Sequence, residues 1–227
     1  MGLGLLLAAG PALAQARGYV GLRIQDMTAG LASVLGLDSP RGALIAWTIA
    51  GGPAEKGGLQ PGDVVLTMDG QAISNQAKLI ELMAGSVVGT PIKFGLWRQR
   101  AGLEIEILPT AAPAAQPTVQ RRRGPPPEAP PIGSARGIGL IELSAAMRRH
   151  YAIADEYMGA LVGEVEALSL AARLEMQPGD VLVAVGGVKV ENARHALELL
   201  RQAEAVNVLA LAVRDNAPRF IILPAGT

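Results

Sequence analysis

The side chains that could carry out chemistry are few in this 227-residue chain, and they are widely separated. The absence of cysteine excludes thiol nucleophiles, disulfides and thiolate metal sites, and leaves the redox compartment open. The two histidines are His150 and His195. A nucleophilic serine needs a histidine base that a carboxylate orients, and no spacing here indicates such a set. His150 follows two arginines near a predicted helix end, where a cation suits the helix dipole. We therefore predict no catalytic residue.

Two aspartates in matching contexts are the next candidates for chemistry. Asp63 and Asp180 each follow Pro-Gly at the start of a predicted strand. Aspartate in such a position favours turn formation, so we interpret both as turn-stabilising residues rather than as paired catalytic acids. No cluster of His, Asp and Glu has the spacing of metal ligands, so we expect neither a metal nor a cofactor.

The composition narrows the class of partner. The 20 basic and 20 acidic residues balance, and no segment carries the strong positive charge that nucleic-acid binding needs. Nucleic acid is therefore not an expected partner. Half of the residues are hydrophobic but aromatic residues make up 3%, which predicts cores built from aliphatic side chains.

The first sixteen residues resemble a secretory signal peptide. Gly4 to Leu13 form a small and apolar run, followed by Ala12-Leu13-Ala14 and Ala14-Gln15-Ala16, which fit a small-x-small cleavage rule. The run is too short to span a bilayer, so no stable membrane anchor is expected. No Lys or Arg precedes it, which leaves open a disordered tail or a wrongly assigned start. The prediction is an exported protein, periplasmic or secreted.

The chain contains an internal duplication. Pro61-Gly62-Asp63 recurs as Pro178-Gly179-Asp180, and Gly42-Ala43-Leu44 recurs as Gly159-Ala160-Leu161, both 117 residues later. Gly21-Leu22 pairs with Gly139-Leu140 at a spacing of 118. Repeated landmarks at one spacing indicate two copies of one domain.

The boundaries of these copies follow from composition. We predict a signal peptide at 1–16, a first domain at 17–109, a linker at 110–135 and a second, diverged domain at 136–227. The linker is rich in proline, which favours a semi-rigid extended segment. It carries Arg121-Arg122-Arg123, which is either a docking or protease-sensitive site or, as we favour, a solvated stretch.

Each copy is predicted to be an α+β domain, mainly β, in the form of a partly open barrel with two helices. Period-2 alternation predicts the strands, as in Leu103, Ile105 and Ile107 against Glu104 and Glu106. The predicted elements of the first copy are strand 18–25, helix 29–35, strand 43–49, a one-turn helix at 53–58, strand 63–69, helix 75–83 and strands 93–99 and 103–108. In the second copy, helix 192–202 and strands 206–213 and 220–223 correspond to the last three.

Two stretches of the first copy resemble a known family. Arg17 to Leu22, followed by Gly51 to Val65 with its Gly-Leu-Gln-Pro-Gly-Asp-Val core, is similar to the first PDZ domain of HtrA/Deg-type periplasmic serine proteases. The likeness covers residues 17–109.

The second copy resembles the second PDZ domain of these proteases and departs from it in one loop. Leu168 to Met176 lacks the usual helix-opening proline and helix-ending glycine, and Glu175 occupies the glycine position. We therefore expect this loop to be reshaped. Gly137-Ile138-Gly139-Leu140 resembles the family's Gly-Leu-Gly-Phe carboxylate-binding loop.

The resemblance implies a way of binding ligands. In PDZ domains an extended peptide adds to a sheet edge opposite a helix, and backbone N–H groups of a glycine-containing loop hold its terminal carboxylate. The expected peptide-binding residues of the first copy are Arg17, Tyr19, Val20, Gly21, Leu22, Arg23, Ile24, Gln25, Gln76, Leu79, Ile80 and Met83. Those of the second are Arg136, Ile138, Gly139, Leu140, Ile141, Ala193, His195, Ala196, Leu197 and Leu200. His195 could select a ligand hydroxyl or be an ordinary exposed histidine, and Tyr19 could belong to the core.

Three functions follow as hypotheses. The first is a non-catalytic binding or adaptor protein of the cell envelope that recognises C-termini or unfolded segments. The Gly-Asn-Ser-Gly-Gly motif of the protease family does not occur in the sequence. The second is a truncated or split HtrA-type protease, or a regulatory subunit that docks onto a periplasmic protease. The third is a structural role in which the chain blocks its own grooves.

Overall fold

The computed structural model describes residues 17–113 and 125–225. The predicted signal peptide and the arginine triplet at 121–123 lie outside the described residues. No helix in the described ranges is long and apolar enough to cross a membrane.

The first domain is an antiparallel sheet with helices packed on it. Its elements are β1 (Leu22–Asp26), α1 (Ala29–Leu35), β2 (Ala43–Thr48), α2 (Pro53–Lys56), β3 (Val64–Met68), β4 (Gln71–Ala72), α3 (Gln76–Ala84), β5 (Ile92–Arg98) and β6 (Ala101–Ile107). The strand order is β1-β2-β3-β5-β6, with β4 paired to β3. This order leaves β1 at one end of the sheet.

The second domain repeats this plan and adds one strand. Its elements are β7 (Gly133–Ala135), β8 (Ile138–Glu142), α4 (Ala145–Tyr151), β9 (Ala160–Val165), α5 (Leu170–Arg173), β10 (Val181–Val185), β11 (Val188–Lys189), α6 (Ala193–Gln202), β12 (Val208–Arg214) and β13 (Ala217–Leu223). The order is β13-β12-β10-β9-β8-β7, with β11 paired to β10. The mainly β, α+β class is confirmed, and neither sheet closes into a barrel within the described ranges.

Local sequence signals account for most element boundaries. In β6 the side chain of Ile107 is buried while Glu104 and Glu106 are exposed, as the alternation predicts. The helices α3 and α6 both begin after an asparagine, because the side chains of Asn75 and Asn192 accept hydrogen bonds from the backbone N–H of Lys78 and His195.

The two Pro-Gly-Asp turns are stabilised in the same way, as the turn interpretation predicted. Asp63 is 1% exposed, accepts a hydrogen bond from Gln60 N, and pairs with Arg98, whose Nε lies 2.5 Å from Oδ1. Asp180 is equally buried and accepts from Gln177 N, and its Oδ1 lies 2.6 Å from Nε of Arg214. The hydrogen bonds to Asp63 and Asp180 raise the pKa values of Arg98 and Arg214 above the ordinary arginine value. Both pairs are structural.

The expectation of a reshaped loop at 168–176 is wrong. The one-turn helix α5 forms without the proline, because Ser169 Oγ accepts a hydrogen bond from Ala172 N at its start. Glu175 takes a left-handed φ of 57°, where Gly58 of the first domain has a φ of 88°. Its carbonyl accepts a hydrogen bond from Arg214, as Gly58 accepts one from Arg98. The Asp–Arg pair therefore holds the turn even without glycine.

The strand register corrects the alignment of the two carboxylate loops. Leu22 pairs with Thr48, and Ile138 pairs with Val165, which is the residue 117 positions after Thr48. Leu22 therefore corresponds to Ile138, and the pairing of Gly21 with Gly139 is wrong by two residues. The residue equivalent to Gly21 is Gly137, and their φ angles are 80° and 75°.

The two domains pack against each other through β13. Gln25 of β1 accepts a hydrogen bond from Phe220 N at 2.6 Å and donates to Phe220 O at 3.4 Å. The rings of Trp47 and Tyr157 lie 5.0 Å apart between centroids. Leu209, Phe220 and Ile222 of the second domain also pack on a hydrophobic cluster of the first. The burial of Tyr157 raises the pKa of its phenol above the ordinary value.

Candidate functional site

The first domain has an open groove between β1 and α3. A cavity of about 430 Å³ lies there, lined by Leu22, Arg23, Ile24, Gln76, Ile80, Met83, Ala217 and Pro218. The first six of these residues were predicted from the sequence to bind peptide. The last two come from the second domain. An end strand facing a helix is the arrangement in which an extended peptide can add to a sheet.

The loop before β1 can present backbone donors at one end of this groove. The carbonyl oxygens of Val20 and Gly21 accept hydrogen bonds from Ala54 N and Ile49 N, on the protein side. Gly21 has a φ of 80°, a conformation that glycine adopts without steric cost. The opposite side of each peptide unit carries an N–H group, so this loop is suited to hold an anionic group.

The remaining residues predicted for the first groove have other surroundings. Val20 and Leu79 are 1% and 0% exposed and belong to the hydrophobic core. Tyr19 forms a bridge with Thr110, and its ring lies beside Gly21. Arg17 is exposed and pairs with Val87.

In the second domain, a segment of the chain itself occupies the corresponding groove. Strand β7 pairs antiparallel with β8, with Gly133 opposite Leu140 and Ala135 opposite Ile138. Ile132 N also donates a hydrogen bond to Leu140 O, and Ile132 packs on the core. Strand β7 thus runs antiparallel to β8 and ends beside the loop, which is the direction of a C-terminal peptide in a PDZ groove. It lies in the stretch that composition assigned to the linker.

Burial of the helix residues shows how differently the two grooves are filled. Ile80 of α3 is 52% exposed, whereas Leu197, at the same position in α6, is 6% exposed. Gly133 covers Leu197 so closely that an added Cβ would lie 2.7 Å from a Leu197 methyl carbon. The second groove therefore has no room for another strand unless β7 leaves.

The turn that returns the chain onto β8 is formed by Arg136 and Gly137. Their φ angles are 55° and 75°, as in the two-residue turns that join antiparallel strands. The Arg136 guanidinium donates hydrogen bonds to the carbonyls of Leu223, Pro224, Ala203 and Val206. Burial lowers the pKa of Arg136 from its ordinary value. Its side chain is thus bound to the domain itself.

The other residues predicted for the second groove lie in or near the core. Ile138, Leu140, Ala193, Ala196 and Leu200 are all 0% exposed. Ile141 packs in a separate cluster with Tyr157, on the side of the sheet nearer the first domain. His195 is half-buried, and its Nδ1 lies 3.4 Å from Glu191 N, which donates to it. Gly139 is a strand residue of β8.

Two features of the site were missed from the sequence. Residues 132–135 have no apolar alternation, so nothing local indicates that they occupy a groove. Ala217 and Pro218 reach the first groove through domain packing, for which the sequence carries no local signal.

Comparison with known proteins identifies the domain family of both halves. One family model described as a PDZ domain matches residues 18–108, and a second PDZ model matches residues 161–214. Both halves of the chain are PDZ domains. The first is called PDZ1 and the second PDZ2 below.

Curated relatives connect this PDZ pair to one group of proteases. A probable periplasmic serine endoprotease DegP-like from Pseudomonas putida (strain ATCC 700007 and synonyms, F1) is 31% identical over 90% of this chain and 42% of its own length. The protein of the same name from Chlamydia muridarum is 26% identical over 91% of this chain and 39% of its own. The chain thus spans less than half of the length of each of these two relatives.

Among solved structures, one titled "HtrA-type protease AlgW with decapeptide" is 31% identical to this chain and has a TM-score of 0.41. The match covers 44% of this chain and 31% of that structure's chain.

In the described parts of the chain, no group of three His, Asp or Glu side chains could hold a metal ion.

Proposed function

We propose that this protein is a non-catalytic peptide-binding protein, in which PDZ1 takes hydrophobic C-termini or extended unfolded segments. The observation that carries the proposal is the open groove of PDZ1, where the end strand β1 faces α3 and Ile80 is 52% exposed. The ligand adds as a strand beside β1, and its carboxylate meets the backbone N–H groups of Gly21 and Leu22.

PDZ1 rather than PDZ2 is the receptor in this proposal. Strand β7 already pairs with β8, and Leu197 is buried beneath it. A ligand of PDZ2 would first have to displace this segment, and the cost of displacement lowers its apparent affinity. The structural role considered from the sequence, self-blocked grooves, thus has support in one groove and not in the other.

The cellular setting is proposed from the relatives. The two curated relatives described above are named as probable periplasmic proteases. A PDZ pair in that compartment would work as an envelope adaptor or quality-control factor that presents clients without cutting them. The protein is then periplasmic or secreted.

An array of C-terminal peptides tests the proposal. Full-length protein is applied to octapeptides that end in Val, Leu, Ile or Phe, with the same peptides amidated at the C-terminus as controls. We expect micromolar binding by a subset, lost on amidation. Ile80→Asp should weaken binding at least about tenfold, because it places a charge in the apolar groove. Val206→Asp is the matched control, since Val206 is 57% exposed and lies in PDZ2. Equal binding by wild type and Ile80→Asp would refute the assignment.

A second candidate is a part or regulatory subunit of an HtrA-type protease. It is favoured by the chain covering 42% of a protease relative's length. Mass spectrometry of the protein from its native host tests it. A mature polypeptide that includes a trypsin-like domain, or constant co-purification with a periplasmic protease, would support this candidate over a separate adaptor.

A further inference from the structure

We infer that PDZ2 forms the outer wall of the PDZ1 peptide site, so that the turn between β12 and β13 selects alternate residues of the ligand. The inference rests on the proposed function of PDZ1. It assigns Ala217 and Pro218 as specificity-determining residues, although they belong to the other domain.

The position of these two residues carries the inference. Ala217 and Pro218 line the same cavity as Leu22 and Ile24 of β1 and Ile80 of α3. Ala217 is exposed and Pro218 is buried. The groove is therefore bounded by PDZ1 on its inner side and by a PDZ2 hairpin on its outer side.

The hairpin is held in place by its own domain. The side chain of Asn216 accepts a hydrogen bond from Ala154 N at 2.8 Å and donates to Ala152 O at 2.9 Å. The Tyr157 hydroxyl donates to Asn216 O at 3.1 Å. The turn that precedes Ala217 is thus fixed at three points.

The domain interface then fixes the hairpin relative to PDZ1. Both hydrogen bonds of the Gln25 side chain go to the backbone of Phe220, two residues after Pro218. Ile222 packs close to Gly30 of α1, and Trp47 of β2 contacts the Tyr157 ring. A wall joined to the receptor by such contacts can discriminate between ligands by steric fit.

Strand geometry decides which ligand residues meet this wall. Side chains of an added strand alternate between the two faces of the sheet. Leu22 and Ile24 pack on the PDZ1 core, so ligand residues on their side enter the apolar groove under α3. Arg23 lies on the opposite face of β1, where it pairs with Trp47. The Gln25 side chain shares this face with Arg23 and binds the backbone of Phe220, so the hairpin lies on this side of β1. Ligand residues on that face, at positions −1 and −3 from the C-terminus, meet Arg23 and the Ala217-Pro218 wall.

The chemistry of the wall predicts a ligand class. A small side chain fits beside Ala217 and Pro218, whereas a large one collides with the hairpin. The positive charge of Arg23 also disfavours Lys and Arg at these positions. The preferred ligands are C-terminal segments with a hydrophobic last residue and small, uncharged or acidic residues at −1 and −3.

Binding of defined octapeptides to the full-length protein tests the inference. The probes are octapeptides with a C-terminal hydrophobic residue chosen from the array, carrying Ala, Trp or Lys at −1 or at −3. We expect wild-type protein to bind the Ala peptides about tenfold more tightly than the Trp peptides at one or both positions. Ala217→Gly should reduce this preference, and Ala217→Trp should weaken binding of the Ala peptides as well.

Ala101→Trp is the matched control. Ala101 is the exposed first residue of β6, in the PDZ1 hairpin that corresponds to β12–β13, and it does not line the cavity. It should leave binding unchanged. Identical discrimination at −1 and −3 by wild type, Ala217→Gly and Ala217→Trp would overturn the inference while leaving PDZ1 as the receptor. Absence of peptide binding to the wild-type protein would instead overturn the proposed function, and this inference with it.

Discussion

The PDZ1 and PDZ2 grooves are built from equivalent elements and differ in what occupies them. In each, the strand that follows the glycine loop, β1 or β8, faces a helix that begins after a capping asparagine. In PDZ1 the groove is open, and Ile80 is 52% exposed. In PDZ2 the chain's own β7 lies in it, and Leu197 is 6% exposed.

The difference arises in the residues just before the corresponding loop glycines, Gly21 and Gly137. Before Gly21, Arg17 and Tyr19 form bridges with Val87 and Thr110, which direct the chain away from β1. Before Gly137, Arg136 takes a φ of 55° and turns the chain back onto β8. A β-branched valine, as at position 20, rarely adopts a positive φ, whereas arginine does so at lower cost. The chain therefore approaches the two loops along different paths, with a positive φ at Arg136 in PDZ2 and bridges at Arg17 and Tyr19 in PDZ1.

The largest expected effect concerns the buried aspartate that pairs with an arginine in each domain. Asp63→Ala and Asp180→Ala each leave a partly buried arginine without its partner, so each should lower the free energy of unfolding of its own domain by about 3 kcal/mol. Hydrogen exchange measured in increasing urea, and resolved by residue, gives the free energy of unfolding of each domain separately. A loss at Asp63 several times that at Asp180 would contradict the equivalence of the two turns.

The next prediction separates the open groove from the filled one. Leu197→Ala should destabilise PDZ2 by about 2–3 kcal/mol, because it leaves a cavity under β7. Ile80→Ala, at the same helix position, should change PDZ1 stability by less than about 0.5 kcal/mol, because the side chain is half exposed. Calorimetry and hydrogen exchange measure the change in unfolding free energy for both variants. Similar losses for the two variants would mean that the PDZ1 groove is also filled.

A third prediction concerns a substitution that should partly open the filled groove of PDZ2. Ile132→Asp should weaken the packing of the segment 132–135, cost PDZ2 about 1–2 kcal/mol and expose β8. Faster hydrogen exchange should then be confined to residues around β7 and β8. Ser134→Asp is the control on the same segment, because Ser134 is exposed. Unchanged exchange in Ile132→Asp would show that β7 does not depend on this contact.

The smallest expected effect concerns the left-handed turn that differs between the domains. Glu175→Gly should stabilise PDZ2 by up to about 1 kcal/mol, because glycine adopts the positive φ without strain. Gly58→Ala should destabilise PDZ1 by a similar amount. Thermal unfolding of the two variants checks both signs. A destabilised Glu175→Gly protein would mean that the Glu175 side chain has a role beyond its backbone angle.

Most of the fold could be predicted because its signals are local. The Asn caps of α3 and α6, the Pro-Gly-Asp turns and the alternation in β6 act within a few residues, so they act the same way in any context. The predicted helix at 29–35 coincides with α1, and the other predicted helices and strands of PDZ1 lie within four residues of the observed bounds, whereas the two-residue strand β4 was not predicted. The offset of the carboxylate loops was missed, because two nearby glycines, Gly137 and Gly139, both fit the motif and strand register alone distinguishes them.

What occupies each groove was decided by tertiary structure. The sequence by itself determined two PDZ domains, two groove helices and two Pro-Gly-Asp turns, whereas the arginines that pair with Asp63 and Asp180 came from the structure. It did not determine that residues 132–135 would fill one groove, since their pairing with β8 depends on a turn at Arg136 that is held by carbonyls up to 88 residues away. It also did not determine that Ala217 and Pro218 would border the PDZ1 groove. Their position depends on domain packing, in which the Gln25–Phe220 contact joins residues 195 positions apart. Contacts over such separations depend on the packing of whole domains, which no local pattern encodes.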